Sequence, residues 1–234
     1  MQVYAVTTRH VVDLGATVLR VNRIEGGVDT IVTDPTHWVM SDEHDLAIYP
    51  LDMAADHAWY AIATTHFATE QMTAPNGEFT VGSETFMVGR LANTENSERN
   101  TPVVRFGHVS MTQGPIRRSD GQSQNSFVVE CRSASGFSGS PVFVISGSGR
   151  YAHLGERQFT QGGPDFERAY LLGIDWGHIP LWRGVFGPDR QTPLGGMRVD
   201  QNSGMAGVIP PEGRLPVRSK DASPQRNMAP VDSE

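Results

Sequence analysis

The 234-residue chain is almost devoid of two residue types, with one cysteine, Cys131, and one lysine, Lys220. A single thiol cannot close an internal disulfide, so the fold does not depend on an oxidising compartment. Positive charge therefore rests on arginine, and no mechanism follows from that preference. An excess of positive charge is also lacking: the formal net charge is −7, which argues against nucleic acid as a partner. No apolar run reaches the length that spans a bilayer, so no membrane span is expected. The N-terminus has no basic region followed by an apolar stretch, so no signal peptide is expected in the chain as written. Localisation and oligomeric state stay open. What the chain does have is 25 glycines and 15 prolines between short apolar segments. That pattern predicts an all-β fold of many strands and turns.

Residues 2–7 read as a strand, and Ala16 to Ile24 alternates apolar and polar residues as a half-buried strand does. Val28 to Thr33, His37 to Met40 and Asp45 to Tyr49 repeat the signal, while Ala54 to Phe67 is ambiguous between helix and strand. Thr73 to Gly77 is a turn-rich break between two halves, 1–75 and 76–211. The second half offers six candidate strands: Glu84 to Leu91, Pro102 to Met111, Phe127 to Arg132, Val142 to Ser146, Ala169 to Asp175 and Gly204 to Ile209. Six antiparallel strands suffice to close a small barrel. Gly147 to Arg168 and Pro180 to Asn202 read as surface loops. Residues 212–234, polar and proline-rich without a period, read as a disordered tail.

One segment carries chemistry. Gly136-Phe137-Ser138-Gly139-Ser140-Pro141 sets a serine between glycines just before the strand-forming run Val142-Phe143-Val144-Ile145. A serine hydroxyl is a weak nucleophile until a base takes its proton, and the carbonyl it attacks develops a charge that needs preorganised donors. Glycines let the backbone turn sharply and bring N–H groups close to a substrate oxygen. The competing reading is a tight turn entering a strand. The place two residues after the serine holds Ser140, which excludes the elbow of α/β-hydrolases.

The segment resembles the Gly-x-Ser-Gly-x-Pro signature of chymotrypsin-like serine proteases. His10, which follows the apolar segment Val3 to Thr7 and precedes Val11-Val12, resembles the strand-end histidine of that family, particularly its bacterial high-temperature-requirement type. His37 is the nearest rival but lies too close to the candidate aspartate. Asp45-Leu46-Ala47-Ile48 resembles the segment that supplies the family's buried carboxylate; Asp42 and Asp52 lack that context. An acid flanked by Leu, Ala and Ile needs a partner, and a histidine N–H is one. Residues thus stand in the order His, Asp, Ser.

The resemblance covers about residues 2–211 and implies two six-stranded antiparallel Greek-key barrels, the first lacking its N-terminal strands. It implies a serine endopeptidase acting on a peptide or protein substrate, with no metal or organic cofactor. His10, Asp45 and Ser138 would be the catalytic triad, and the N–H groups of Gly136 and Ser138 the oxyanion hole. Gly173 to Gly177 resembles the strand that pairs with extended substrate, which assigns substrate contacts to Asp175, Trp176 and Gly177. Asn202 to Pro210 resembles the last barrel strand. Arg132 falls at the base of the family's specificity pocket, where an arginine favours an acidic side chain. Phe137 departs from the family pattern: trypsin holds there the aspartate that pairs with a freed N-terminus. Cys131, without a base of its own, reads as a small core residue. The alternative function is a catalytically inactive module that keeps the scaffold to bind a peptide.

Overall fold

The computed structural model describes residues 2–90, 98–118, 121–131, 136–146 and 169–211. Alternating apolar residues build the first half into two three-stranded antiparallel sheets. In one, β1 (Val3–Thr7) pairs with β5 (Ala47–Leu51), which also pairs with β4 (Val39–Met40). In the other, β2 (Val18–Arg23) lies between β3 (Val28–Val32) and β6 (His57–Ala58). Trp38, Val12 and Ala47 are buried together, with Leu19, Met40 and Tyr49 packed against them. The indole is satisfied as well as buried: Trp38 Nε1 donates to Thr33 Oγ1 at 2.8 Å and the ring centroid lies 5.3 Å from that of Tyr49. Such a ring contributes both area and a directional bond.

Local chemistry explains where strands were shorter than their apolar pattern. His37 ends a 3₁₀ turn (Pro35–His37) whose Thr36 N–H donates to Asp34 Oδ1 at 2.8 Å, so pairing is left to Val39 and Met40. The ambiguous segment from Ala54 to Phe67 yields only β6 and one 3₁₀ turn, Thr64–His66. After β1 the chain turns through α1 (Arg9–Asp13), a single helical turn that carries His10.

The second half is a closed antiparallel barrel. Its strands are β7 (Glu84–Gly89), β8 (Val103–Arg117), β9 (Ser123–Glu130), β10 (Pro141–Ile145), β11 (Ala169–Phe186) and β12 (Pro193–Ile209). Around the barrel the order is β7, β8, β9, β12, β11, β10. The jump from β9 to β10 across two strands is a Greek-key connection. Inward residues Met87, Val129, Val142, Val144, Leu172 and Val208 form the core, and Cys131 is buried among them. Closure removes the unpaired edges that an open sheet would present. The fold is all-β, as the short strands and turns of the sequence predict.

Two hairpins run further than the sequence pattern suggested. Pro180 to Asn202, expected as a surface loop, is instead the outer part of the β11–β12 pair, with Pro180 opposite Asn202 and Phe186 opposite Pro193. Register shifts between His178 and Pro180 and between Gly184 and Phe186 absorb residues that ordinarily interrupt a strand. Its turn is closed by Gly187 N–H donating to the Thr192 carbonyl at 2.8 Å, and Asp189 accepts from the N–H groups of Gln191 and Thr192 at 3.0 Å each. The Thr192 hydroxyl, which also donates to this carboxylate, and then the two N–H groups hold the Asp189 carboxyl down at about 2. Likewise β8 continues past Met111 to Arg117 and β9 begins at Ser123, with shifts on both sides of Met111. That extension brings the β8–β9 turn to the site. The expected loop from Gly147 to Arg168 and the expected tail from Glu212 lie outside the described residues.

Candidate active site

The serine loop is a tight turn fastened to β11. Ser140 N–H donates to the Phe137 carbonyl at 2.9 Å, Gly139 N–H to the Asp175 carbonyl at 2.8 Å, and Asp175 N–H to the Ser140 carbonyl at 2.9 Å. Phe137 is fully buried beneath the turn. Its ring lies where a β-carbon at Gly89 would come within 2.6 Å, and the Arg105 guanidinium sits 4.7 Å from its centroid. Gly139 has φ +88, and a β-carbon there would lie 2.3 Å from Thr7 Oγ1. Only glycine lets the end of β1 approach the serine loop this closely. Among the described residues the N–H groups of Gly136 and Ser138 have no hydrogen-bond partner. Ser138 Oγ makes a long contact, 3.5 Å, to the Trp176 carbonyl.

Three residues beyond Thr7, His10 meets Asp45 at two points. Its backbone N–H donates to Asp45 Oδ1 at 2.9 Å, and its ring Nδ1 lies 2.6 Å from Asp45 Oδ2. A carboxylate accepts, so Nδ1 carries the proton and Nε2 is left with a free lone pair. The Asp45 side chain is 3% exposed and that of His10 34%. A charge so far from water requires partners. Asp45 N–H donates to Gln124 Oε1 at 3.0 Å, and Gln124 Nε2 lies 2.8 Å from His44 Nδ1. Arg118 Nη1 is 3.0 Å from Asp45 Oδ2. Burial pushes the Asp45 carboxyl up, but the hydrogen bonds from the His10 ring and backbone, with the charges of His10 and Arg118, hold it below its ordinary value.

Arg118 and Gln124 come from the second half, at the turn between β8 and β9. Arg118 is steadied by Trp176, whose ring centroid is 5.7 Å from its guanidinium carbon. Trp176 Nε1 donates to Ser126 Oγ at 2.8 Å, and its ring packs on Gly207, where a β-carbon would lie 2.3 Å from it. Neither Arg118 nor Gln124 stands out in the sequence, because each depends on a turn whose position the interrupted segment Gln113-Gly114-Pro115 obscures. The 3.6-residue and two-residue periods carry no information about such contacts.

The structure brings His10 and Asp45 together directly and joins Ser138 to them through the Thr7–Gly139 contact and the Trp176–Arg118–Asp45 series. It gives no hydrogen bond between His10 and Ser138. Asp175 is fully buried, both its backbone groups are bonded to the serine loop, and its Oδ1 accepts from Gly177 N–H at 3.0 Å. Arg132 lies outside the described residues. Among the described residues no group of three or more His, Cys, Asp or Glu is arranged to hold a metal ion, and no helix is long and apolar enough to cross a membrane.

The family model for the trypsin-like peptidase domain matches residues 2–149. The chain belongs to that family. Among solved structures, the protease domain of MamO from Magnetospirillum magneticum in its apo form is similar at 16% identity and a TM-score of 0.45, covering 88% of this chain and 78% of that one. No curated protein matches the sequence.

Proposed function

We propose that the chain is a serine endopeptidase in which Ser138 is the nucleophile, His10 the general base and Asp45 the orienting carboxylate. The observation that carries this reading is the two-point contact of His10 with the buried Asp45, which leaves Nε2 as the acceptor. In this mechanism Nε2 removes the Ser138 proton as Oγ attacks a peptide carbonyl, then delivers that proton to the departing amine. The unpartnered N–H groups of Gly136 and Ser138 stabilise the oxyanion. Water then resolves the acyl-enzyme by the same steps. In this reading the Trp176 carbonyl, now 3.5 Å from Ser138 Oγ, accepts an N–H of an extended substrate once the serine turns to its base. The two halves, 1–75 and 76–211, supply the base with its carboxylate and the nucleophile respectively. With Phe137 buried where an ion pair would be required, activation through a freed N-terminus has no carboxylate to use.

A second reading, a module that binds peptide without cleaving it, is favoured by one observation: the Ser138 hydroxyl contacts Trp176 and not His10. A fluorophosphonate probe separates the two. The endopeptidase reading expects covalent labelling of the wild-type protein that is abolished in Ser138→Ala and lost by about 10⁴-fold or more in His10→Ala. Labelling that persists in Ser138→Ala, or none in a folded wild-type protein, overturns it.

A further inference from the structure

Asp45 Oδ2 serves at once a permanent cation, Arg118, and an imidazole, His10, that becomes a cation when it takes a proton. His10 Nδ1 lies 2.6 Å and Arg118 Nη1 3.0 Å from this one oxygen. A carboxylate facing a histidine alone gives its whole charge to the imidazolium that forms during turnover. Here the guanidinium draws on the same charge and stands within the roughly 4–6 Å over which one charge alters another's protonation. Arg118 is also set apart from a surface ion pair: its side chain is 17% exposed, against 3% for Asp45, and Trp176 lies against it.

We propose that Arg118 is a positioning residue of the catalytic centre which, by holding Asp45 Oδ2 jointly with His10, sets the pH at which His10 is available as a base. The inference rests on the triad reading above. Its direction follows from the charges: Arg118 weakens the hold of Asp45 on an imidazolium and adds a like charge, so it extends the neutral, base-competent ring to lower pH. The other charged groups near His10 act less directly. Arg9 and Asp13, on α1, pair with each other at 3.3 Å with side chains 48% and 55% exposed, so solvent screens them. Asp42 and Glu43 are exposed on the turn before β5, and His44 is held by Gln124; all line the same polar cleft of about 310 Å³ as Arg118. Asp175 is buried under the serine loop, with Oδ1 on Gly177 N–H.

The test compares Arg118→Met, Arg118→Gln and Arg118→Lys in the full chain by two readouts across pH 5 to 9. One is the rate of fluorophosphonate labelling of Ser138. The other, in Ser138→Ala protein, is the rate at which diethyl pyrocarbonate modifies His10, read by peptide mass spectrometry; it needs no catalysis. The expected result is that the Met and Gln variants move the acid midpoint of both profiles upward by about one pH unit, while Lys, which keeps the charge, restores the wild-type midpoint. Gln keeps a donor for Oδ2 and carries the test if Met does not fold. A rate lowered equally at every pH, with the midpoint unmoved, overturns the inference and leaves Arg118 a structural residue. A shifted diethyl pyrocarbonate profile in a protein that never labels with fluorophosphonate supports Arg118 while refuting the endopeptidase reading.

Discussion

Replacement of Gly139 by alanine tests how the two halves are held in register. The residue has φ +88, so an alanine adopts a left-handed conformation costing about 1–2 kcal/mol. Its β-carbon would stand 2.3 Å from Thr7 Oγ1, more than 1 Å inside the optimum for non-bonded atoms of roughly 3.5 Å. Overpacking of this kind costs about 1–3 kcal/mol. The total, about 2–5 kcal/mol, lowers Tm by roughly 10 °C at mid-range for a chain of this size. Because Thr7 leads directly into α1, relief of the clash pushes His10 away from Ser138, and a displacement near 1 Å costs about 10²-fold in rate. Thr7→Ala removes Oγ1 and leaves the Thr7 β-carbon, at 3.2 Å, as the nearest atom. The double variant Thr7→Ala/Gly139→Ala therefore recovers the overpacking component and most of the rate, while keeping the backbone strain. Thermal melts and fluorophosphonate labelling rates of the four proteins complete the cycle. A double variant no more stable and no faster than Gly139→Ala would refute the contact as the joint between the halves.

Other outcomes follow from the same geometry. Asp45→Asn leaves Arg118 facing a neutral amide in a buried site, and is expected to destabilise by about 3 kcal/mol and to lower kcat/KM by about 10⁴-fold, read by urea melts and steady-state hydrolysis of a peptide ester. Since the folded Asp45 carboxyl is held below its unfolded value of about 3.9, its stabilisation is present above that pH and lost as pH falls through the folded value. Wild-type stability should accordingly decline below about pH 4 more steeply than that of Asp45→Asn, and parallel slopes would contradict the assignment. Trp38→Ala removes the buried indole of the first half and its bond to Thr33, and should cost about 3–5 kcal/mol; hydrogen exchange should report the loss in β1 and β5 more than in the barrel strands.

Much of the barrel was legible in the chain because each of its strands is an apolar run bounded by turn residues, as in Val142 to Ile145. The outer β11–β12 arm was not, since Pro180, Gly184 and Pro193 mimic loop composition while bulges let the pairing continue past them. His10 and Asp45 could be picked out by their local segments, and the structure brings their side chains into contact. The strand that carries Asp175 is visible in the sequence, but the use of both its backbone groups by the serine loop is not. Arg118 and Gln124 had no local signal at all.

The sequence by itself determined an all-β chain, the glycine-flanked Ser138 turn, and the local segments carrying His10 and Asp45, because each is set by the conformational preferences of a few adjacent residues. Only the tertiary structure decided that Asp45 is shared between His10 and Arg118, that Thr7 closes on Gly139, and that Trp176 links Arg118 to Gly207. Those contacts join residues far apart in the chain, and close packing and the low local dielectric, which no short segment encodes, give them their strength.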